Sequence, residues 1–341
     1  MRQNTFVLAL MMLATALRTS ASLSWGRSAA RRLHLTTMST AAAATTDALP
    51  SLGKSSTAAE VADRFVPDPR GLSGRTAFIT GASAGIGAET ARVLASKGCR
   101  VVMACRDVEK GGAKLDAMGL SDDERENVKL VALDLASFDS IEACAAEAIK
   151  NEERIDYLVL NAGIMATPQS TTKEGFELQL GTNHIGHHYL TNLLMPMMKN
   201  QPSQPGTGGQ KGRVVVLSST AHSMGTLDFD DLNFERGERK YSPWGAYGQS
   251  KLANMLHAKA LAKRLAGTGW SAYAVHPGVI VTDLWNFALP GPKFLRGVVG
   301  GLASAVVGDK SVEQGTATSV YACLAPNLEV VSGSYLADCD V

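Results

Sequence analysis

Residues 75–87, RTAFITGASAGIG, limit what this chain can fold into more than any other stretch. Thr76, Ala77, Phe78, Ile79 and Thr80 carry the β-branched and aromatic bias of a buried strand. Gly81, Gly85 and Gly87 follow, letting backbone pass where a side chain would collide with a ligand. The helix predicted next points its free N–H groups and positive dipole end at a phosphate. Strand, glycine turn and helix start together suit a dinucleotide. Glycine also simply ends strands, so the motif gains its weight from the rest of the chain.

That rest repeats the pattern. A helix is predicted over residues 86–97, ended by Gly98, and a buried strand over 100–105. A helix over about 107–118, a strand over 128–133, a helix capped by Ser137 and a strand over 155–160 follow. Thr182-Asn183-His184 opens a long helix to about Met198, and residues 213–217 form a fifth strand. Strands alternating with helices over short links predict an α/β fold. It is a single Rossmann-type doubly wound parallel sheet with helices on both faces.

Ligands of such sheets sit at the carboxyl ends of the strands. The second strand ends in Cys105 and Arg106, with no acidic residue to accept a ribose 2′-hydroxyl. A guanidinium there suits a 2′-phosphate, which favours NADP(H) over NAD(H). Asp134, closing the third strand, can accept from an adenine amino group. Asn161-Ala162-Gly163, after the fourth, leaves room for the adenine ribose.

Residues 1–60 read as a leader and residues 61–341 as the domain. No acidic residue precedes Asp47, while Arg2, Arg18, Arg27, Arg31 and Arg32 are present. Residues 6–17, FVLALMMLATAL, are too short for a bilayer span of about 20 residues but have the length of a signal-peptide core. The Ser-, Ala- and Arg-rich stretch behind them has transit-peptide chemistry. A plastid reached through the secretory route is favoured, with a mitochondrion as the alternative. The net charge of +1 and the lack of any basic stripe give no reason to expect nucleic acid. The five cysteines show no CxxC spacing, so buried thiols are expected and no metal site.

Tyr247-Gly248-Gln249-Ser250-Lys251 supplies the chemistry. An i, i+4 pair shares one helical face, so the tyrosine and the lysine are neighbours. A phenol exchanges protons poorly at neutral pH. A fixed ammonium favours the phenolate and makes a general acid–base of it.

TGASAGIG, NAG, Asn183, Ser219, YGQSK and His276-Pro277-Gly278 together resemble the short-chain dehydrogenase/reductase family. The resemblance runs from about Thr76 to Cys339. MACRD, GTNHIGHHYLT, LSSTAH and YGQSKLAN are most similar to its retinol-dehydrogenase group and that group's plant and algal relatives. The resemblance implies Tyr247 as proton donor or acceptor and Lys251 as holder of the nicotinamide ribose. It implies Ser219 on the substrate oxygen and Asn183 supporting Lys251 through water. Gly81, Ser83, Gly85, Ile86 and Gly87 would line the pyrophosphate. Arg106 would meet the 2′-phosphate, Asp134 the adenine, and Asn161, Ala162 and Gly163 the ribose. Pro277, Gly278 and Thr282 would meet the nicotinamide. Expected is an NADPH-dependent oxidoreductase interconverting a carbonyl and its alcohol.

Residues 283–308 fall where this family builds its substrate lid. Trp285, Phe287, Leu289, Phe294 and Leu295 give that stretch an apolar face, which suits a lipophilic substrate. Such a face is equally able to touch a membrane surface or a second copy in a homo-oligomer. His222 and Trp244 are candidates for the opposite wall. Two alternatives accompany the main expectation. One is a plastid protochlorophyllide-reductase-like enzyme, against which stands the absence of any cysteine between Cys144 and Cys323. The other is a non-catalytic, membrane-associated NADP(H)-sensing scaffold, against which stand the intact Asn183, Ser219, Tyr247 and Lys251.

Overall fold

The computed structural model describes residues 51–203, 209–237, 239–280, 282, 284 and 310–341. Its apolar runs form β1 (Thr76–Thr80), β2 (Arg100–Cys105), β3 (Val128–Ala132), β4 (Tyr157–Leu160), β5 (Gly212–Leu217), β6 (Trp270–His276) and β7 (Tyr335–Ala337). They lie in one parallel sheet in the order β3-β2-β1-β4-β5-β6-β7. The strand order reverses at β1 and β4, so a crevice opens above their carboxyl ends. The helices are α1 (Ala58–Phe65), α2 (Gly85–Ala95), α3 (Val108–Asp116), α4 (Asp122–Glu126), α5 (Phe138–Asn151), α6 (Gly186–Asn200), α7 (Pro243–Leu265) and α8 (Val312–Leu324).

Side chains alternate between the two faces of the sheet, and both faces are dry. Ala77, Ile79, Val101, Met103, Val215 and Val275 pack with Ala91 and Leu94 of α2 and Ala322 of α8. Their neighbours Phe78, Val102, Ala104, Val214, Val216 and Ala274 turn the other way. They meet Ile141 of α5, Leu190 and Leu194 of α6 and Leu261 of α7. A strand covered on both sides needs an unbroken apolar run, and each large aliphatic side chain so buried contributes about 1.5–3 kcal/mol. β3 is an edge strand, and exposed Lys129 there discourages pairing with another chain. All five cysteines are buried free thiols.

α1 spans the boundary expected at residue 60. Thr57 caps it, accepting from Glu60 N at 3.3 Å while Thr57 N donates to Glu60 Oε2 at 2.7 Å. Its inner face, Ala58, Val61 and Ala62, is buried with Val93 of α2 and Ala317 and Val320 of α8. The run is short and begins in the same Ser-, Thr- and Ala-rich composition as the leader, which hid it in the sequence. Among the described residues no helix is long and apolar enough to cross a membrane. The apolar run at residues 6–17 lies outside them.

Candidate active site

β1 ends at Thr80 and the backbone turns at Gly81, whose φ of +67° suits glycine. Gly81 N donates to Ala104 O at 2.8 Å, tying the turn to the end of β2. A Cβ on Gly81 would stand 2.8 Å from Ala162 Cα, and one on Gly87 only 2.4 Å from Asn161 Nδ2 and 2.5 Å from Gly81 O. Gly87 therefore lets α2 settle onto the turn. Gly85, with a φ of +54°, keeps open the space facing Thr282 Cγ2.

Above these strand ends lies a cleft of about 380 Å³. Gly81, Ser83, Gly85, Ile86, Arg106, Asp134, Asn161, Ala162, Gly163, Tyr247, Lys251, Pro277 and Thr282 line it. Gly87, Asn183, Ser219 and Gly278 are not in the lining, although Ser219 hydrogen-bonds Tyr247, which is. Gly278 has a φ of +92°, and a Cβ there would meet Lys310 Cδ at 2.7 Å. Lys110, Ile164, Met165, Thr182 and Leu284 also line the cleft and had not been singled out. Lys110 lies in the first turn of α3, after the N-cap Asp107, and nothing in the local sequence marks its side chain as facing the cleft.

Two expected ligand contacts double as braces. Asn161 Nδ2 donates to Thr80 O at 2.8 Å and to Gly81 O at 3.2 Å, so its side chain holds the glycine turn against β4. Asp134 Oδ1 accepts from Ala136 N at 2.9 Å, and Asp134 N donates to Ser140 Oγ at 2.9 Å. Ser83 hydrogen-bonds the Cys105 thiol, whose pKa burial raises to about 11.

The helix expected to start at Thr182 instead begins with a π-helical turn, Gly181–Ile185, before α6. Asn183 sits in it, fully buried. Its Oδ1 accepts from Ile164 N at 2.8 Å, while its Nδ2 donates to Ile164 O and to Ser250 Oγ, both at 2.9 Å. The widened turn thus ties the segment after β4 to α7. Such bulges recur at functional sites.

Pro243 starts α7, with Ser242 as its N-cap, so Tyr247 and Lys251 occupy its first turns. Lys251 Nζ donates to Leu217 O at 3.0 Å, and Asn254 Nδ2 donates to the same oxygen at 3.0 Å. A Cβ on Gly163 would lie 3.6 Å from Lys251 Nζ, so the glycine leaves room beside the ammonium. Ser219 Oγ accepts from Ala221 N at 3.2 Å and shares a hydrogen bond with the Tyr247 phenol. Ser218 Oγ donates to Lys251 O at 2.8 Å and so braces α7.

Charge behaves differently from the expectation. Burial pushes the Tyr247 phenol up to about 12, the Ser219 hydrogen bond pulling weakly the other way. Burial likewise lowers Lys251 to about 8. Desolvation opposes charge on both groups and outweighs the ammonium's pull on the phenol. The shift favours the protonated phenol at neutral pH.

Around Tyr247 the wall is apolar. Met165, Ala166 and Ala221 are buried with it, and Trp244, Val279 and Leu284 pack against them. Trp244 meets the Tyr247 ring edge-on at 6.2 Å, and His222 Nδ1 lies 2.6 Å from Ser219 O. Trp285, Phe287, Leu289, Phe294 and Leu295 lie outside the described residues.

Comparison with known proteins finds relatives over most of the chain. Residues 75–229 match the family profile described as short chain dehydrogenase. The chain is similar to retinol dehydrogenase 12 of Mus musculus, 42% identical over 268 residues that make up 79% of each chain. It is similar to retinol dehydrogenase 13 of Homo sapiens, 42% identical over 271 residues covering 79% of this chain and 78% of that one. An uncharacterised protein from Mycobacterium paratuberculosis of known crystal structure is 36% identical, with a TM-score of 0.58. That likeness covers 78% of this chain and 81% of the other.

Proposed function

This chain belongs to the short-chain dehydrogenase/reductase family, and from that premise we propose an NADPH-dependent oxidoreductase interconverting a lipophilic carbonyl compound and its alcohol. The observation that carries the proposal is the buried Tyr247 phenol with Lys251 over its ring, both lining a glycine-floored cleft beside an apolar wall.

The cleft suits a phosphorylated dinucleotide on its own features. Gly81 and Gly85 leave bare backbone under the space where α2 begins. Arg106 and Lys110 place two cationic side chains at the β2 end, where a 2′-phosphate would be met. When bound, the dinucleotide supplies the hydride for the carbonyl carbon.

The chain's own residues do the rest. The Tyr247 hydroxyl gives its proton to the substrate oxygen, and Ser219 hydrogen-bonds that same oxygen and orients it. Lys251 holds positive charge beside the phenol as that proton leaves, which limits the cost of a transient phenolate. Met165, Trp244, Val279 and Leu284 exclude water and receive the apolar body of the substrate. The named relatives are retinol dehydrogenases, so retinal heads the list of compounds to try.

The test is NADPH oxidation by the purified protein with retinal, long-chain aldehydes, steroids and quinones. Tyr247→Phe is expected to lower turnover by about 10²–10⁴-fold while NADPH still binds. Undiminished turnover in that variant would defeat the mechanism.

A further inference from the structure

His187 is fully buried on α6 and does not line the cleft. Its ring joins two segments that build the site. Thr80 Oγ1 lies 2.8 Å from His187 Nε2, and Asn183 O lies 2.9 Å from His187 Nδ1. Donor counting sets the direction of both bonds. Thr80 Oγ1 accepts from Asn161 N at 2.9 Å and from Ala162 N at 3.0 Å, which uses both lone pairs of the hydroxyl. Its proton must therefore be donated, and His187 Nε2 is nearer than Val159 O at 3.5 Å. A ring nitrogen that accepts carries no proton. The imidazole proton then sits on Nδ1 and is donated to Asn183 O. Burial pushes the ring down to about 3, helped by the charge of Lys251 and by His184, so the ring stays neutral.

The partners are informative. Thr80 closes β1 immediately before Gly81, and its oxygen gathers the amides that follow β4. Asn183 sits in the π turn, and its side chain reaches both Ile164 and Ser250 of α7. We propose that His187, as a neutral Nδ1–H tautomer, is a positioning residue that holds the glycine turn in register with the helix bearing Tyr247 and Lys251. It acts through Thr80 and Asn183 and touches neither substrate nor cofactor. The proposal rests on the cleft being a dinucleotide site, as inferred above.

Nitrogen-15 NMR of the histidine-labelled full chain reads the tautomer directly. Expected are a protonated Nδ1 and a bare Nε2, unchanged from about pH 8 to about pH 5. A proton on Nε2, or titration within that range, overturns the proposal. Two variants read the positioning. His187→Asn retains a donor to the carbonyl four residues back, as Asn192 Nδ2 does to His188 O at 3.0 Å on the same helix. His187→Phe keeps the bulk and loses both bonds. His187→Phe is expected to weaken NADPH binding roughly tenfold, the scale of one lost buried hydrogen bond, with His187→Asn recovering most of it. Unchanged NADPH affinity in folded His187→Phe would make the residue merely structural and sink the proposal. If His187→Phe fails to fold, the NMR signature and the affinity of His187→Asn decide. A wild-type chain that binds NADPH but reduces no carbonyl defeats the functional proposal and leaves the affinity comparison valid.

Discussion

Lys251 Nζ lies over the face of the Tyr247 ring, 5.6 Å from its centre, while donating to Leu217 O at 3.0 Å. The two groups of the YxxxK pair therefore share one buried volume, and burial acts on each more strongly than either acts on the other. The pH dependence follows. Tyr247, raised to about 12, stays protonated through the neutral range, whereas Lys251, lowered to about 8, carries its charge only below that value. The kcat/KM for carbonyl reduction is expected to be level up to about pH 8 and to fall above it. Lys251→Met should abolish that fall together with most of the rate. A profile that rises through pH 8 would mean that the phenolate is the active form.

Cofactor choice is expected to rest on Arg106 and Lys110 together. Arg106→Asp and Lys110→Glu should each weaken NADPH by about tenfold or more while altering NADH little, since only one of the two carries a 2′-phosphate. Paired dissociation constants measure this. Equal losses for both cofactors would show that these cations serve the shared pyrophosphate instead.

Gly87→Ala tests the floor of the site. The new Cβ would stand 2.4 Å from Asn161 Nδ2, which is held by its bonds to Thr80 O and Gly81 O, and 2.5 Å from the backbone oxygen of Gly81. Destabilisation of about 1–3 kcal/mol is expected in urea unfolding, with weaker dinucleotide binding in the fraction that folds. Gly119→Ala is the comparison for a left-handed glycine, at φ +67°, with nothing within 4 Å of its missing Cβ. It should lose stability through backbone strain and keep its affinity.

Three buried histidines are expected to make the fold acid-sensitive. Burial, then the charges of His184, His188, His187 and Arg264, lowers His257 to about 2, while burial lowers His187 to about 3 and His184 to about 4. In the unfolded chain all three return to about 6.5. Below that value the unfolded state binds more protons than the folded one, so stability falls as pH drops toward the folded values. The slope is about 1.4 kcal/mol per pH unit for each histidine. Urea midpoints between about pH 7.5 and about pH 5 should show it, and His257→Phe should remove roughly one histidine's share of the slope.

Much of this molecule was legible in its sequence. Each predicted strand appears, with ends shifted by a residue or two, as at β4, where Ile155 is buried but sits outside the ladder. Of the candidate cofactor residues, most converge on one cleft, while Gly87 and Gly278 prove to be packing positions around it. What escaped was set by distant neighbours. α1 needs Val93 and Val320 to give its apolar face a partner, and Lys110 needed the cleft to exist before its place on α3 meant anything. The π turn at Asn183 followed no local rule, because Ile164 and Ser250 hold it open.

By itself the sequence determined the positions of the first five strands, the glycine turn and the pairing of Tyr247 with Lys251 on one helical face. These depend on period, on steric room at single residues and on spacing within a helix, all of them local. Only the tertiary structure decided the burial of Tyr247, the partners of His187 and the bonds by which Asn161 braces the glycine turn. Desolvation and donor counting depend on what the rest of the chain brings within a few ångströms, and that exists only once the sheet has closed around them.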